Sequence, residues 1–262
     1  MNILSLLFNE VIYRPLFNGL IFLYNVIPGH DFGIAIIALT VIIRFILYPL
    51  NQKQIKSQKE MQEIQPKVKE IQEKYKNDKE KQGRALMDLY REHKINPASG
   101  CLPLLVQFPI LYALLSVFRN VLNPDKLNVL YGFISHPGVI NHFFLGFFDL
   151  SKVSVMISNG SINFVSWGNL TLAVLTGLAQ VWQSRMMVAQ PPAIKSKESK
   201  DESMTAMTSK MMLYFLPAFT FILAATFPAG LALYWLTITV FGVVQQYFVL
   251  NPRTKQLEEG SK

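Results

Sequence analysis

The sequence predicts an all-α integral membrane protein: five transmembrane helices, a cytoplasmic helical hairpin and an N-terminal interfacial helix. Three observations predict it. Five apolar stretches of roughly 17–22 residues recur along the chain, each long enough for a helix to cross the hydrocarbon core. Charge is segregated between those stretches. Residues 51–95 carry a separate amphipathic pattern of helical period. The 262 residues are 51% hydrophobic yet 16% charged, with mean hydropathy +0.27 and net charge +8. That apolar share is high for a soluble domain, and the charge fits only if it is kept out of the spans.

In chain order, residues 1–31 are expected to form an interfacial amphipathic segment on the outside. Ile3 to Ile27 are apolar but interrupted by Asn9, Glu10, Arg14, Pro15, Asn18 and Asn25, and Pro28-Gly29 ends them. A sixth span is the alternative for that stretch. The first span is predicted at 32–50 and the cytoplasmic hairpin at 51–100. Ile55, Met61, Ile64, Val68, Ile71 and Tyr75 stripe its first arm, with a kink expected at Pro66. Lys76 to Lys79 make a turn, and Leu86, Leu89, Tyr90 and His93 stripe the second arm. The charges of this hairpin either solvate it or make it a docking arm.

The second span is predicted at 101–122, followed by an extracytoplasmic loop at 123–161. That loop contains the apolar run Phe143 to Phe148 and is expected to lie along the outer interface. The third span is predicted at 162–183, with a cytoplasmic loop at 184–210 whose residues 191–203 have linker composition. The fourth and fifth spans, 211–227 and 229–250, are joined by a tight outer hairpin at Phe227 to Gly230. A short cytoplasmic tail, 251–262, completes the chain.

Basic residues set the expected orientation. Segments 51–100, 184–210 and 251–262 hold 12, five and three Lys/Arg, which makes 20 of the 25. The positive-inside rule then places the N-terminus outside and the C-terminus in the cytoplasm. Anionic headgroups account for the basic excess, so direct nucleic-acid binding is not invoked. The lone Cys101 excludes an internal disulfide or a cysteine-based metal centre. The first residues lack a basic start and a cleavage site, so the expected location is a bacterial plasma membrane.

The spans contain no Asp, Glu or His, which removes proton relays, carboxylate cation sites and paired-carboxylate hydrolysis. No catalytic residue, metal or cofactor is expected, and no GxxxxGK[ST] loop is present. Two arginines fall within the spans: Arg119 lies near the outer end and can snorkel, whereas Arg44 is near the middle of an apolar run, costing at least about 2.5–3.5 kcal/mol on insertion scales. Without a partner carboxylate it calls for water. Thr40, Arg44, Tyr48 and Asn51 share one helical face. Thr176, Gln180 and Ser184 line up in the third span with Gln183 nearby; Tyr234, Thr237 and Gln245 share a face of the fifth, and Gln107 lies in the second. Each polar side chain alone fits interhelical hydrogen bonding. Arg44 implies a wet groove open toward the cytoplasm, suited to a polar segment of another protein.

Four stretches carry a resemblance. They are GIAIIALTVIIRFILYPL at 33–50, MQEIQPKVKEIQEKY at 61–75, INPASGCLPLLVQFPILYALL at 95–115 and FLPAFTFILAATFPAGLALYW at 215–235. From Tyr13 onward the chain resembles the YidC/Oxa/Alb membrane protein insertases, in the short form without a large extracytoplasmic domain. The resemblance implies an ATP-independent insertase and chaperone that takes newly made membrane proteins as clients, alone or with the Sec translocon. The signal recognition pathway, the ribosome and membrane lipids are the other partners considered. It puts Arg44, Gln180 and Trp235 in the groove, with Gln183 the alternative to Gln180. With the polar stripes, the candidate client-binding set is Arg44, Thr40, Gln107, Gln180, Gln183, Trp235 and Thr237. The tail NPRTKQLEEGSK is short and nearly neutral, unlike the longer basic tails of ribosome-gripping members. The competing reading is a small anion transporter with Arg44 as binding charge. The internal duplication such a transporter would carry is not evident.

Overall fold

The computed structural model describes residues 3–96, 102–121, 129–158, 161–187 and 211–250. The expectations for the linker at 191–203 and the tail at 251–262 lie outside those residues. Ten α-helices are described: α1 (Ile3–Phe8), α2 (Arg14–Val26), α3 (Phe32–Ile46), α4 (Tyr48–Glu63), α5 (Gln65–Lys74), α6 (Lys79–Glu92), α7 (Leu102–Val121), α8 (Trp167–Met187), α9 (Leu216–Thr226) and α10 (Ala229–Leu250). A π-helical turn, Asn9–Tyr13, joins α1 to α2, and another, Met211–Phe215, precedes α9.

The predicted first span is a broken one. α3 stops at Ile46, and α4 leaves it at 68°. Pro49 is the cause: it has no N–H to give the Phe45 carbonyl, and its ring would crowd that carbonyl in a continuous helix. It sits instead in the first turn of α4, where a proline is tolerated. Pro66 plays the same part at the start of α5. α5 and α6 then pack over Ile64, Val68, Leu89 and Ile95. The Asp78 side chain caps α6 by accepting from the Lys81 backbone N–H at 3.0 Å.

The helix expected from 162 begins at Trp167; residues 162–164 belong instead to a strand, Ser161–Phe164, paired antiparallel with Val155–Ser158. A second two-stranded hairpin pairs Phe143–Phe144 with Phe148–Asp149. In order, these strands are β1 (Phe143–Phe144), β2 (Phe148–Asp149), β3 (Val155–Ser158) and β4 (Ser161–Phe164). The long loop is thus two small β-hairpins on an otherwise helical bundle. It is tied to the α9–α10 turn: Ser154 N–H donates to Ala225 O at 3.1 Å, and Ala229 and Gly230 N–H donate to Lys152 and Leu150 O.

By length and mean hydropathy, Ser5–Val26 and Ala229–Leu250 qualify as spans, and the bent pair α3–α4 makes a third. Length and apolarity alone therefore mark fewer than five helices. α7 and α8 carry glutamines, asparagines and an arginine each, and α9 with its preceding π turn is short. The N-terminal helix is not simply a surface element either. The Phe8 ring packs at a tilt against Tyr112 in mid-α7, and the Asn120 amide donates to the Tyr13 hydroxyl. Further on, Asn18 accepts from Tyr131 N–H and donates to Val129 O, and Asn25 donates to Ser135 O. One end follows α7 inward while the other runs beneath the long loop.

The apolar core fills one half of the bundle. Phe17, Leu20 and Ile21 of α2, Ala35 and Ile36 of α3, and Val117 and Phe118 of α7 meet Leu172 of α8, Ala224 of α9 and Ala232 of α10. All lie toward the β-hairpins, the sheet side. Small residues let the last three helices approach closely: Ala173 and Gly177 of α8, Ala224 and Ala225 of α9, and Ala229, Gly230 and Ala232 of α10. Toward the hairpin side the composition changes.

Candidate functional site

Where the core ends, a cavity of about 280 Å³ begins. α3 supplies Thr40 and Arg44, α4 supplies Asn51 and Gln54, and α7 supplies Gln107. α8 adds Gln180, Gln183 and Ser184; α9 adds Thr220; α10 adds Tyr234, Trp235, Thr239 and Gln245. The 68° break at Leu47 falls just past Arg44, and α4 beyond it lines the same space with Asn51, Gln54 and Gln58.

Arg44 is half-buried and lies in the last turn of α3. That position answers part of its energetic problem, since a helix C-terminus favours a cation by about 0.3–1 kcal/mol. The guanidinium Nε is buried with no protein partner. No Asp, Glu or His lines the cavity among the described residues; the ionisable side chain that feels the charge is Tyr234. Tyr234 is held in place by Gln107, whose amide donates to its hydroxyl at 2.8 Å. Gln180 donates weakly to Gln183 Oε1 at 3.3 Å, and Gln245 donates to Tyr48 O at 3.1 Å across the α3–α4 break.

Among the described residues nine buried side-chain polar atoms lack a protein partner, and five of them line this cavity: Arg44 Nε, Asn51 Nδ2, Ser184 Oγ, Gln245 Oε1 and Gln246 Oε1. Buried polar groups are ordinarily satisfied, so this concentration marks a wall built to exchange hydrogen bonds with water or with a guest. Donors and acceptors are both present. The remaining surface is apolar, including Ile43, Ile110, Leu216 and Ile238. Such a wall suits a segment of mixed polarity. α7 and α9 both face the cavity without packing closely on each other, so a seam runs between them.

Of the residues singled out from sequence, Thr40, Arg44, Gln107, Gln180, Gln183 and Trp235 come together here. Thr237 does not: its hydroxyl donates to Leu233 O at 2.8 Å within its own helix. At about 100° per residue, the lining sector of α10 runs from Tyr234 through Ile238 and Gly242 to Thr239, and Thr237 falls beyond its edge. Gln54, Gln58, Thr220, Thr239 and Gln246 were not anticipated. Gln54 and Gln58 continue the Asn51 face of α4 at three- and four-residue steps, a signal obscured by counting them with the hairpin.

A family model described as 60Kd inner membrane protein matches residues 22–256. The chain belongs to this family. A membrane protein insertase YidC from Fusobacterium nucleatum is 34% identical over 242 residues, covering 92% of this chain and 97% of that protein. The Oceanobacillus iheyensis insertase YidC is 35% identical over 228 residues, 86% of this chain and 76% of its own length. The longer Geobacter sulfurreducens insertase YidC is 34% identical, but the chain spans only 36% of it. Among solved structures, an active YidC insertase with its first transmembrane domain resolved aligns at TM-score 0.56 and 32% identity, over 90% of this chain and 46% of that one. Family membership and the apolar helices together describe a multi-pass inner-membrane protein.

Proposed function

We propose that this chain is a membrane protein insertase and chaperone, not an enzyme, that receives client segments in the Arg44 cavity. Clients enter from the cytoplasm on the hairpin side, and their apolar parts leave laterally through the α7–α9 seam into the bilayer. The protein works alone or with the Sec translocon. One observation carries the reading: an unpaired guanidinium and four further orphaned polar side chains share a cavity whose other end is sealed by an apolar core. A space polar at one end and closed at the other is a poor conduit and a good receptor. It shortens the hydrocarbon barrier for a polar client tail, while Arg44 attracts acidic residues in that tail. The proposed topology has five spans, the hairpin and C-terminus in the cytoplasm and the N-terminus outside, following the basic residues.

The test is protease protection of single-span clients in cells carrying only the variant. A guanidinium and a carboxylate about 4 Å apart attract by about 1–4 kcal/mol between bulk-water and protein-surface dielectrics. Arg44→Ala is therefore expected to lower insertion of acidic-tailed clients on the order of tenfold. Arg44→Lys keeps most activity, Arg44→Glu is at least as damaging as alanine, and neutral-tailed clients suffer less. Full insertion of acidic-tailed clients by Arg44→Ala, at matched protein levels, would remove the charge from the mechanism.

A further inference from the structure

One apolar surface is not used by the cavity. The β1–β2 hairpin is wedged between the starts of α3 and α8. Phe144 lies so close over α3 that a Cβ on Gly33 would sit 2.2 Å from its ring, and Phe148 reaches the first turn of α8 beside Gly168. Asp31 locks the arrangement: one carboxylate oxygen caps α3 through Ile34 N–H at 3.0 Å, and the other accepts from Leu145 N–H at 2.8 Å. The turn itself, Leu145-Gly146-Phe147, points away from the protein, with Phe147 64% exposed. At the same level, Phe164 stacks on Trp167 with ring centroids 5.0 Å apart and planes 7° off parallel. Trp167 is 71% exposed and is the first residue of α8.

These side chains have no charged neighbours in their own runs, FFLGFF at 143–148 and FVSW at 164–167. They continue into an exposed apolar stripe down α8, Leu175, Leu178 and Trp182, whose spacing from Trp167 keeps it on one helical face. That stripe can only face lipid in a membrane-spanning helix. Aromatic side chains at such a level favour the boundary between headgroups and acyl chains. We infer that Leu145, Phe147, Phe164 and Trp167 form an aromatic foot seated in the headgroup–acyl boundary of the sheet-side leaflet. The foot sets the depth at which α3 and α8 enter the bilayer. It is rigidly joined to the bundle because the same loop is hydrogen-bonded to the α9–α10 turn.

Nitroxide labels on the full-length chain test this, in a Cys101→Ser background reconstituted into phosphatidylethanolamine and phosphatidylglycerol vesicles. Labels at Phe147→Cys and Phe164→Cys are compared with one at Lys152→Cys, using oxygen and a water-soluble nickel chelate as relaxing agents. The expected result is a several-fold higher oxygen-to-nickel ratio at 147 and 164 than at 152. Equal nickel access at all three positions would overturn the proposal, and so would exclusion of both reagents from 147 and 164, which signals a protein cover. Where a labelled chain fails to fold, Trp167 fluorescence in a Trp182→Phe, Trp235→Phe chain gives a second reading. Quenching strongest from bromines high on the acyl chain supports the foot; no quenching from any bromine position contradicts it.

Discussion

Arg44 and Gly242 show how single residues keep the cavity open and polar. Arg44 draws on the C-terminal dipole of α3 and on solvation, since no carboxylate lines its surroundings among the described residues. Gly242 makes room: a Cβ there would lie 2.4 Å from Gln183 Nε2. Gln183 is flexible, so Gly242→Ala displaces its amide rather than the backbone. Alanine also gains about 0.5–1 kcal/mol of helix preference over glycine. Gly242→Ala is therefore expected to melt at or above the parent temperature while inserting clients less well. Thermal unfolding in detergent and insertion in vesicles, run on the same preparation, check this; loss of both together would make Gly242 a packing residue instead. At this scale the sequence was most informative where chemistry is unusual. A charge in an apolar run is conspicuous, whereas Thr239 and Gln246 look like any interhelical glue, and Thr237 looked equally suitable until the sector of α10 facing the cavity was defined.

Two elements behave as separable units. The α5–α6 pair has its own small core, Ile64, Val68, Leu89 and Ile95, apart from that of the bundle. Leu89→Ala should cost about 2–5 kcal/mol within that pair. Hydrogen exchange should accelerate in α5 and α6 and leave α8 and α10 protected; loss of protection in both regions would mean the arm and bundle unfold together. The long loop is held differently. Asp149, only 8% exposed, faces Lys152 Nζ at 2.9 Å, His142 Nε2 at 3.5 Å and the Ser151 hydroxyl and N–H. Burial pushes its carboxyl up, but the bonds from Ser151 and Lys152, with His142 beside them, outweigh burial and hold it below the usual range. A depressed folded pKa stabilises above the unfolded value, about 3.9, and that stabilisation disappears as pH falls through the folded one. Protection factors at 150–154 and 225–230, taken relative to the intrinsic exchange rate at each pH, should therefore fall below about pH 4. Asp149→Asn should show the lower protection already at neutral pH and flatten the acid dependence. The helices α5 and α6 were legible in the sequence because their apolar stripes have a clear period. The sequence did not separate α3 from α4 or the strand β4 from α8, because hydropathy does not register Pro49 as a break or distinguish a short apolar strand from a helix start.

For the whole molecule, the division into an apolar half and a polar half is the property on which the proposed function turns. The sheet-side half is close-packed through small residues, and the hairpin-side half contains the α3–α4 bend and is lined with unsatisfied polar side chains. That division was only half legible in the sequence: the polar stripes were visible, but their convergence depends on how six helices are arranged. If the cavity receives clients, a client stalled during insertion must lie against it. Photo-crosslinking residues placed at Ile110 and Thr239, which line the cavity, and at Leu178 and Val244, exposed on the outer surface of the bundle, measure this directly. The account predicts strong crosslinks from 110 and 239 to a stalled single-span client, and weak ones from 178 and 244. Crosslinks from the outer positions alone, with none from 110 or 239 at equal protein levels, would contradict it.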